Sequence, residues 1–442
     1  MATKIDLDEV LETSVVLEES THVIVLDPPV EDSVEARPTD DRLGPDYVKL
    51  WFATAINNVG DGVRMTALPL LAATFTRNPI AIAGVLFACK LPWLLFSLIS
   101  GAVVDRVDRR KLMIAINILR GVAMAALGFV VLGGGGGLAL LYVVALAQGI
   151  GEVFSDNAAF ALMPNIVPKH RLEDANGRLE AAVVTMNEFA GPALGGLLFA
   201  LALGVPFLLD SFSFVVAALL LGTMAYRPKP IADPAPKRPI RKDIAEGLRW
   251  LWAHPLLRNL SLIAAATNLV LHATFAIAVL FALDVLGLGE IGFGLLLSAE
   301  AFGALTGSLL AGSLKRRLGI TRTVVVALLV AGAANLAIAS STSWLVVGAM
   351  MVAVAFAGGL WNVVTNSLRQ SLVPDRLLGR VQSTHRLLSW GAIPLGTLLG
   401  GVLSQFVGLR APFAVAGATL ALLAIAAGAL LARSQRIPHP VS

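Results

Sequence analysis

From Ile80 to Leu132 the chain reads IAIAGVLFACKLPWLLFSLISGAVVDRVDRRKLMIAINILRGVAMAALGFVVL. Two apolar runs, near 80–104 and 111–132, flank one short polar turn that carries Arg106, Arg109, Arg110 and Lys111. Each run has the roughly 20 residues that a helix needs to cross a hydrocarbon core about 30 Å thick. Lipid offers no partner to a backbone N–H or C=O, so such a run closes its own hydrogen bonds as a helix. The pattern recurs on both sides, near 48–75, 138–162, 178–202 and 205–225, then near 256–284, 290–314, 320–340, 343–368, 380–407 and 411–432. The expected fold is an all-α integral membrane protein of twelve transmembrane helices.

Composition points the same way. Of 442 residues, 56% are hydrophobic and 14% charged, whereas a soluble chain carries about 25% charge. Mean hydropathy is +0.77. Cys89 is the single cysteine, so no disulfide framework exists, and the six histidines are scattered without metal-ligand spacing. Neither a metal nor a cofactor is expected. No Ser–His pair or His/Asp cluster gathers at one membrane face, which argues against an embedded enzyme.

The pI near 9.4 would suit a nucleic-acid partner, but the charges are distributed otherwise. Met1–Asp46 holds thirteen Asp/Glu against three Lys/Arg, a net of −10, so the remainder of the +4 chain carries +14. That excess falls in alternate loops: Arg106 to Lys111, Lys169 and Arg171, the stretch Arg227–Lys242, Lys315 to Arg322, and Arg376. The loops between are nearly bare, and one of them is the run Gly133–Gly137. Under the positive-inside rule both termini and the central linker are cytoplasmic, in the plasma or inner membrane. The expected surroundings are a lipid bilayer, with no nucleic acid, and the expected state is a monomer.

Residues 1–46 read as an acidic, disordered tail without a signal peptide. An N-terminal six-helix bundle is expected over 47–226, a cytoplasmic linker over 227–255, a C-terminal six-helix bundle over 256–433 and a short tail over 434–442. An internal repeat supports two pseudo-symmetric bundles. Val167-Pro168, Gly177-Arg178 and Pro192 return as Val373-Pro374, Gly379-Arg380 and Pro394, with fourteen residues from Arg to Pro both times.

Ionisable residues within a span are costly, so they tend to border a water-accessible path and to serve a function. Near mid-depth lie Asp61, Lys90, Arg120, Glu152, Asp156, Glu188, His272 and Glu300, joined by Arg64. Glu152 and Asp156 are four residues apart, on one helix face. A carboxylate in a poorly hydrated cavity can exchange a proton during a transport cycle. The alternative is that some of these acids pair with Lys90, Arg120 or Arg64 and merely hold helices together. The sixth, ninth and twelfth spans carry no mid-depth charge, and Asp210 is expected near the outer end of the sixth. Trp51, Phe87, Trp93, Phe275, Phe302, Trp361 and Trp390 are candidate apolar contacts.

Gly101, Asp105-Arg106 and Arg109-Arg110 resemble the loop signature of the major facilitator superfamily, with Asp108 where the family usually has Gly. Asp-Arg-x-Asp-Arg-Arg is similar to the branch that contains siderophore and macrolide exporters. Asn187-Glu188-Phe189-Ala190-Gly191-Pro192-Ala193-Leu194-Gly195-Gly196 resembles the superfamily's antiporter motif, with Asn187 in place of its leading Gly. The resemblance implies that Gly101, Asp105, Arg106, Arg109 and Arg110 latch the cytoplasmic face, and that Gly191, Pro192, Gly195 and Gly196 form a hinge in the fifth helix. It further implies export of a small amphipathic or siderophore-like molecule in exchange for protons, by alternating access. The cavity would be lined by every span except the third, sixth, ninth and twelfth. Proton-coupled uptake is the alternative within the same class, and a membrane scaffold the alternative outside it.

Overall fold

The computed structural model describes residues 43–104, 106–226 and 240–434. Residues 1–42, Asp105 (expected in the cytoplasmic latch), residues 227–239 of the expected linker and residues 435–442 lie outside them. The first part of the chain forms α1 (Pro45–Phe75), α2 (Pro79–Val104), α3 (Arg109–Leu132), α4 (Leu138–Ile166), α5 (Leu172–Leu201) and α6 (Val205–Gly222). The second forms α7 (Ile240–Ala253), α8 (Pro255–Val285), α9 (Glu290–Ser340), α10 (Trp344–Leu372), α11 (Asp375–Phe406) and α12 (Ala411–Ser434). Ten helices among the described residues are long and apolar enough to cross a membrane. The fold is therefore all-α and multi-span. Side chains such as Phe160, Phe212, Leu219 and Ile425 are mostly exposed on the outside of the bundle, as a lipid-facing belt requires.

Local chemistry sets the helix limits. Pro45, Pro206 and Pro255 sit in first turns, where a missing N–H costs nothing. Asp108 caps α3, accepting from the backbone N–H of Arg110 at 3.0 Å and of Lys111 at 3.3 Å. That explains a carboxylate where glycine is usual. Gly319, at φ 77° and ψ 165°, breaks α9 into arms over 290–318 and 320–340, a backbone shape that side chains with a Cβ avoid.

The described part of the expected linker is helical despite its polar composition. Within 227–255, residues 240–253 form α7, which buries Leu251 and packs on α11. Glu246 pairs with Arg380 at 2.7 Å, and Gly247 lets the α11 backbone approach closely at Arg380 and Thr384.

Within residues 45–222, α1 packs on α5 and α6, α2 on α4, and α3 on α4 and α6. In the second part α8 packs on α11 and α12, and α9 packs on α10 and α12. Two seams join them, α2 against α11 and α5 against α9. Glycines set the closest approaches. A Cβ on Gly149 would strike the Cys89 carbonyl, one on Gly303 the Val352 carbonyl, and one on Gly400 the Ala273 carbonyl.

The two ends of the bundle differ. At the end with the sparsely charged loops, one apolar core runs through both parts, from Leu70, Leu71 and Ile82 to Ile277, Leu280, Phe293 and Phe413. At the basic end the core is split. Leu50, Met113, Leu162 and Leu221 cluster on one side, and Leu260, Ala327, Leu360 and Leu420 on the other. We expect Gly149→Val to destabilise the protein by about 1–3 kcal/mol through overpacking. A thermal melt of the detergent-purified variant should move down, while Gly177→Ala, which meets nothing within 4 Å, should leave it in place.

Candidate transport site

Asp61 lies between two glycines with separate tasks. Gly60 leaves room for Asp210 and Ser213 of α6, and Gly62 for the α5 backbone at Asn187 and Gly191. The α1 backbone is thus drawn against both neighbours, and Asp61 is turned toward the bundle interior. There its Oδ1 accepts from Arg64 Nη2 at 2.6 Å and from Arg120 Nη2 at 2.6 Å. Arg120 also donates from Nε to Gln148 Oε1 at 2.8 Å, and Gln148 donates back to the Arg120 carbonyl at 3.0 Å. Its guanidinium lies 4.2 Å from the Phe214 ring centroid. The third span stands outside the set expected to line a cavity, yet its arginine reaches the centre.

Arg64 is the hub. Besides Asp61, it lies 3.2 Å from Asp210 and 3.8 Å from Glu152. Glu152 in turn faces Lys90 at 3.4 Å and accepts from Trp93 Nε1 at 3.2 Å. Three cations (Arg64, Lys90 and Arg120) thus meet three carboxylates (Asp61, Glu152 and Asp210). Asp156, one turn from Glu152, adds a further acid and makes no ion pair among the described residues; it lines a pocket of about 40 Å³ with Asn57, Asn58 and Asp61.

Asp210 corrects the sequence reading. Expected near the outer end of an otherwise uncharged span, it is instead fully buried on Arg64, and neither of its oxygens has a hydrogen bond among the described residues. Its sixth place in α6 misleads because the α6 backbone at Asp210 packs on Gly60, midway along α1 and one turn before Arg64.

A cavity of about 790 Å³ runs from mid-depth to the basic end, lined by Glu180, Glu188, Asn268, His272, Trp361, Arg369, Gln382, His385, Arg386 and Trp390. Glu188 lines it without joining the ion network, and Glu180, Arg369 and Gln382 are wall residues that hydropathy does not single out. Arg369 donates to Gln382 at 2.8 Å, across α10 and α11. At the α2–α11 seam Arg386 lies 4.0 Å from the Trp390 ring centroid and 5.3 Å from that of Trp93. The ion network therefore connects through Trp93 to the cavity wall. His272 and Glu300 sit apart from it, around a smaller cavity of about 240 Å³ that includes Phe275. Phe302 lines neither cavity and is 58% exposed, so its expected role as a contact fails.

The two sequence motifs occupy seams. In α5 the segment Val184–Ala190 is a π-helix, and Gly191 starts the regular helix. Gly191 and Gly195 face α1, while Pro192 and Gly196 meet Gly294 and Glu290 of α9. Of the residues expected to latch the cytoplasmic face, Gly101 has open space where a Cβ would stand and Arg106 is exposed. Arg109 donates to the Ala161 carbonyl of α4 at 2.9 Å. Arg110 donates to the Leu221 carbonyl at 2.8 Å and to the Gly222 carbonyl. Both arginines satisfy carbonyls near helix C-termini, where positive charge is favoured.

A chamber that reaches mid-depth from one end, with a solid apolar core filling the other, suits a carrier that handles a small molecule within the bilayer. The class is that of membrane transporters with the major facilitator fold. The chain belongs to the transmembrane secretion effector family, whose pattern it matches over residues 45–439, and it is a transporter rather than an enzyme. It is 27% identical over 402 residues to the multidrug efflux pump Tap of Mycolicibacterium fortuitum, covering 88% of this chain and 96% of that one. The Tap pump of Mycobacterium tuberculosis strain H37Rv is 29% identical over 379 residues, covering 84% and 89%. Among solved structures, a bacterial homologue of the iron transporter ferroportin in the inward-facing state superposes with TM-score 0.68 at 18% identity, covering 89% and 99%. A point mutant of the nucleoside transporter NupG gives 0.69 at 11% identity, covering 87% and 99%. These two structural likenesses concern the fold alone.

Replacing Arg64 by Met should strand Asp210 without its cation and destabilise the protein by about 3–5 kcal/mol. Adding Asp210→Asn should restore a large part of that loss, as a double-mutant cycle of thermal melts would show.

Proposed function

We propose that the protein exports small amphipathic molecules across the plasma or inner membrane by proton antiport. Twelve spans would do this in two pseudo-equivalent bundles, 47–226 and 256–433, rocking about the α2–α11 and α5–α9 seams. The span count rests on α1, whose charges keep it below a simple hydropathy threshold, and on the two arms of α9. The bundle pairing is supported by matched contacts: α1–α5 answers α8–α11, α2–α4 answers the first arm of α9 with α10, and α3–α6 answers the second arm with α12. With the basic loops and both termini cytoplasmic, the large cavity faces the cytoplasm, where an exporter loads.

The observation that carries the proton reading is the network centred on Arg64. Charge at this depth persists because it is paired, and adding a proton to Asp61 or Glu152 releases a cation from its partner. Glu152 is suited to transmit that change, since it also holds Trp93 at the moving seam. Asp156 and Glu188 offer further proton acceptors beside the cavity. In this reading the loop at Gly101, Asp105, Arg106, Arg109 and Arg110 stabilises the alternate, outward-facing state, and Gly191, Pro192, Gly195 and Gly196 let α5 bend. Export of more than one solute is supported by the names of the related pumps and by a lining that mixes indoles, amides and charges. The working unit is proposed to be a monomer.

Proteoliposomes loaded with pyranine and held under an imposed ΔpH should show proton movement when rhodamine 6G is added. Glu152→Gln and Asp61→Asn should each reduce that movement about tenfold or more, since each removes a carboxylate held at bilayer depth. Dye exchange without a gradient should persist in both. Unaltered proton movement in both variants would refute the antiport assignment. Asp105→Asn should leave insertion intact and slow net flux severalfold, as read from the same vesicles.

A further inference from the structure

The cavity around Glu300 has a chemistry that the antiport reading leaves unused. Its walls come from α8, both arms of α9, α10 and α12. It shares Leu271, His272, Val354 and Gly358 with the large cavity, so it adjoins that cavity as a side chamber. Gly358 stands on the shared wall with open space where a Cβ would be. Behind it, Phe275, Ile338, Met351 and Phe413 supply an apolar lining.

The polar groups of this chamber are mainly acceptors. Glu300 is partly buried on α9 and has neither an ion pair nor a hydrogen bond among the described residues. His272 Nδ1 lies 2.9 Å from the Asn268 carbonyl. A carbonyl only accepts, so Nδ1 carries a proton, and in the neutral form of the ring Nε2 is left as an acceptor. Asn335 spends one amide N–H on the Ala331 carbonyl at 2.9 Å, which leaves its Oδ1 and one N–H, and the Thr274 hydroxyl donates to the Leu271 carbonyl at 2.7 Å, which leaves its oxygen as an acceptor. An isolated carboxylate with acceptor neighbours and aromatic walls calls for a ligand that brings both charge and donors.

We propose that the Glu300 chamber is a substrate subsite for protonated amines attached to a flat apolar body, with the N–H donors directed to Glu300 and the body held between Phe275, Met351 and Phe413. This rests on the reading of the protein as an exporter of amphipathic solutes but not on proton coupling. The subsite discriminates by charge and by hydrogen-bond donation: an anion is repelled, and a quaternary ammonium of the same shape is attracted yet leaves the acceptors unpaired. Separation of this acid from the Arg64 network would let the protein hold a cationic solute while its coupling acids remain ion-paired.

The test uses the full-length protein in nanodiscs and three fluorescent probes of one shape: 9-anthracenylmethylammonium, its N,N,N-trimethyl analogue and 9-anthracenecarboxylate. Fluorescence titration, corrected with empty nanodiscs, should give saturable binding of the primary amine, weaker binding of the trimethyl analogue and none of the carboxylate. Glu300→Gln is near-isosteric and should weaken amine binding about tenfold or more, the scale of losing a charge-assisted hydrogen bond. Gly358→Leu, which adds bulk on the wall shared with the large cavity, should do the same, whereas Phe212→Ala, on the exposed outside of the bundle, should leave binding within about twofold. Equal affinity of wild type and monodisperse Glu300→Gln, or equal binding of all three probes, would overturn the proposal. Because the titration needs no gradient, its failure is separable from failure of the antiport reading, which shows only in vesicle flux.

Discussion

Burying charge without solvent is the constraint on which this architecture depends. A guanidinium or carboxylate taken out of water loses several kcal/mol of solvation, and only close, well-aligned counter-charges return it. Arg64 meets that condition by facing Asp61, Asp210 and Glu152 at once. Arg120 shares Asp61, and Lys90 shares Glu152. Five helices, α1, α2, α3, α4 and α6, are thereby tied at one depth. Gly60 and Gly62 follow from the same need, since a side chain at either would push α1 away from the neighbours that complete the network.

The network also explains the placement of the aromatic seam. Glu152 accepts from the Trp93 indole, and Trp93 lies edge-on to Trp390 with ring centroids 5.6 Å apart, beneath the Arg386 guanidinium. A change of charge in the Arg64 network is thus one hydrogen bond from a contact that must separate if α2 and α11 move. At the opposite end, small-residue contacts such as Gly401 on Ile80 and Ala83, and Gly196 on Glu290, keep the same seams shut. Helices in lipid gain little from apolar burial alone, so close backbone approach and polar anchors determine which faces associate.

Apolar periodicity, loop charge and the spacing of repeated Gly, Arg and Pro residues are enough to find the helices and the basic end, and to mark the α5 and α2–α3 motifs as special. These are local properties: a run of about 20 apolar residues has one stable form in lipid, whatever surrounds it. The eight ionisable residues singled out by depth all lie within long helices, but depth alone does not sort them. Asp61, Lys90, Arg120 and Glu152 join one network, Asp156 and Glu188 border cavities beside it, Glu300 lines the smaller chamber, and His272 lines both that chamber and the large cavity. Asp210 escapes a reading by depth because its position in α6 is measured along its own helix, while the partner that defines it reaches over from α1.

What the sequence alone determined is the class of the fold, since the bilayer penalises every unpaired backbone group and leaves the chain one local solution. What only the tertiary structure decided is which charges meet. Arg64 and Asp210 stand on the first and sixth helices, far apart along the chain, yet 3.2 Å apart in space. No local pattern encodes that contact, because it arises from helix crossings set by glycines and from the cost of leaving either charge alone.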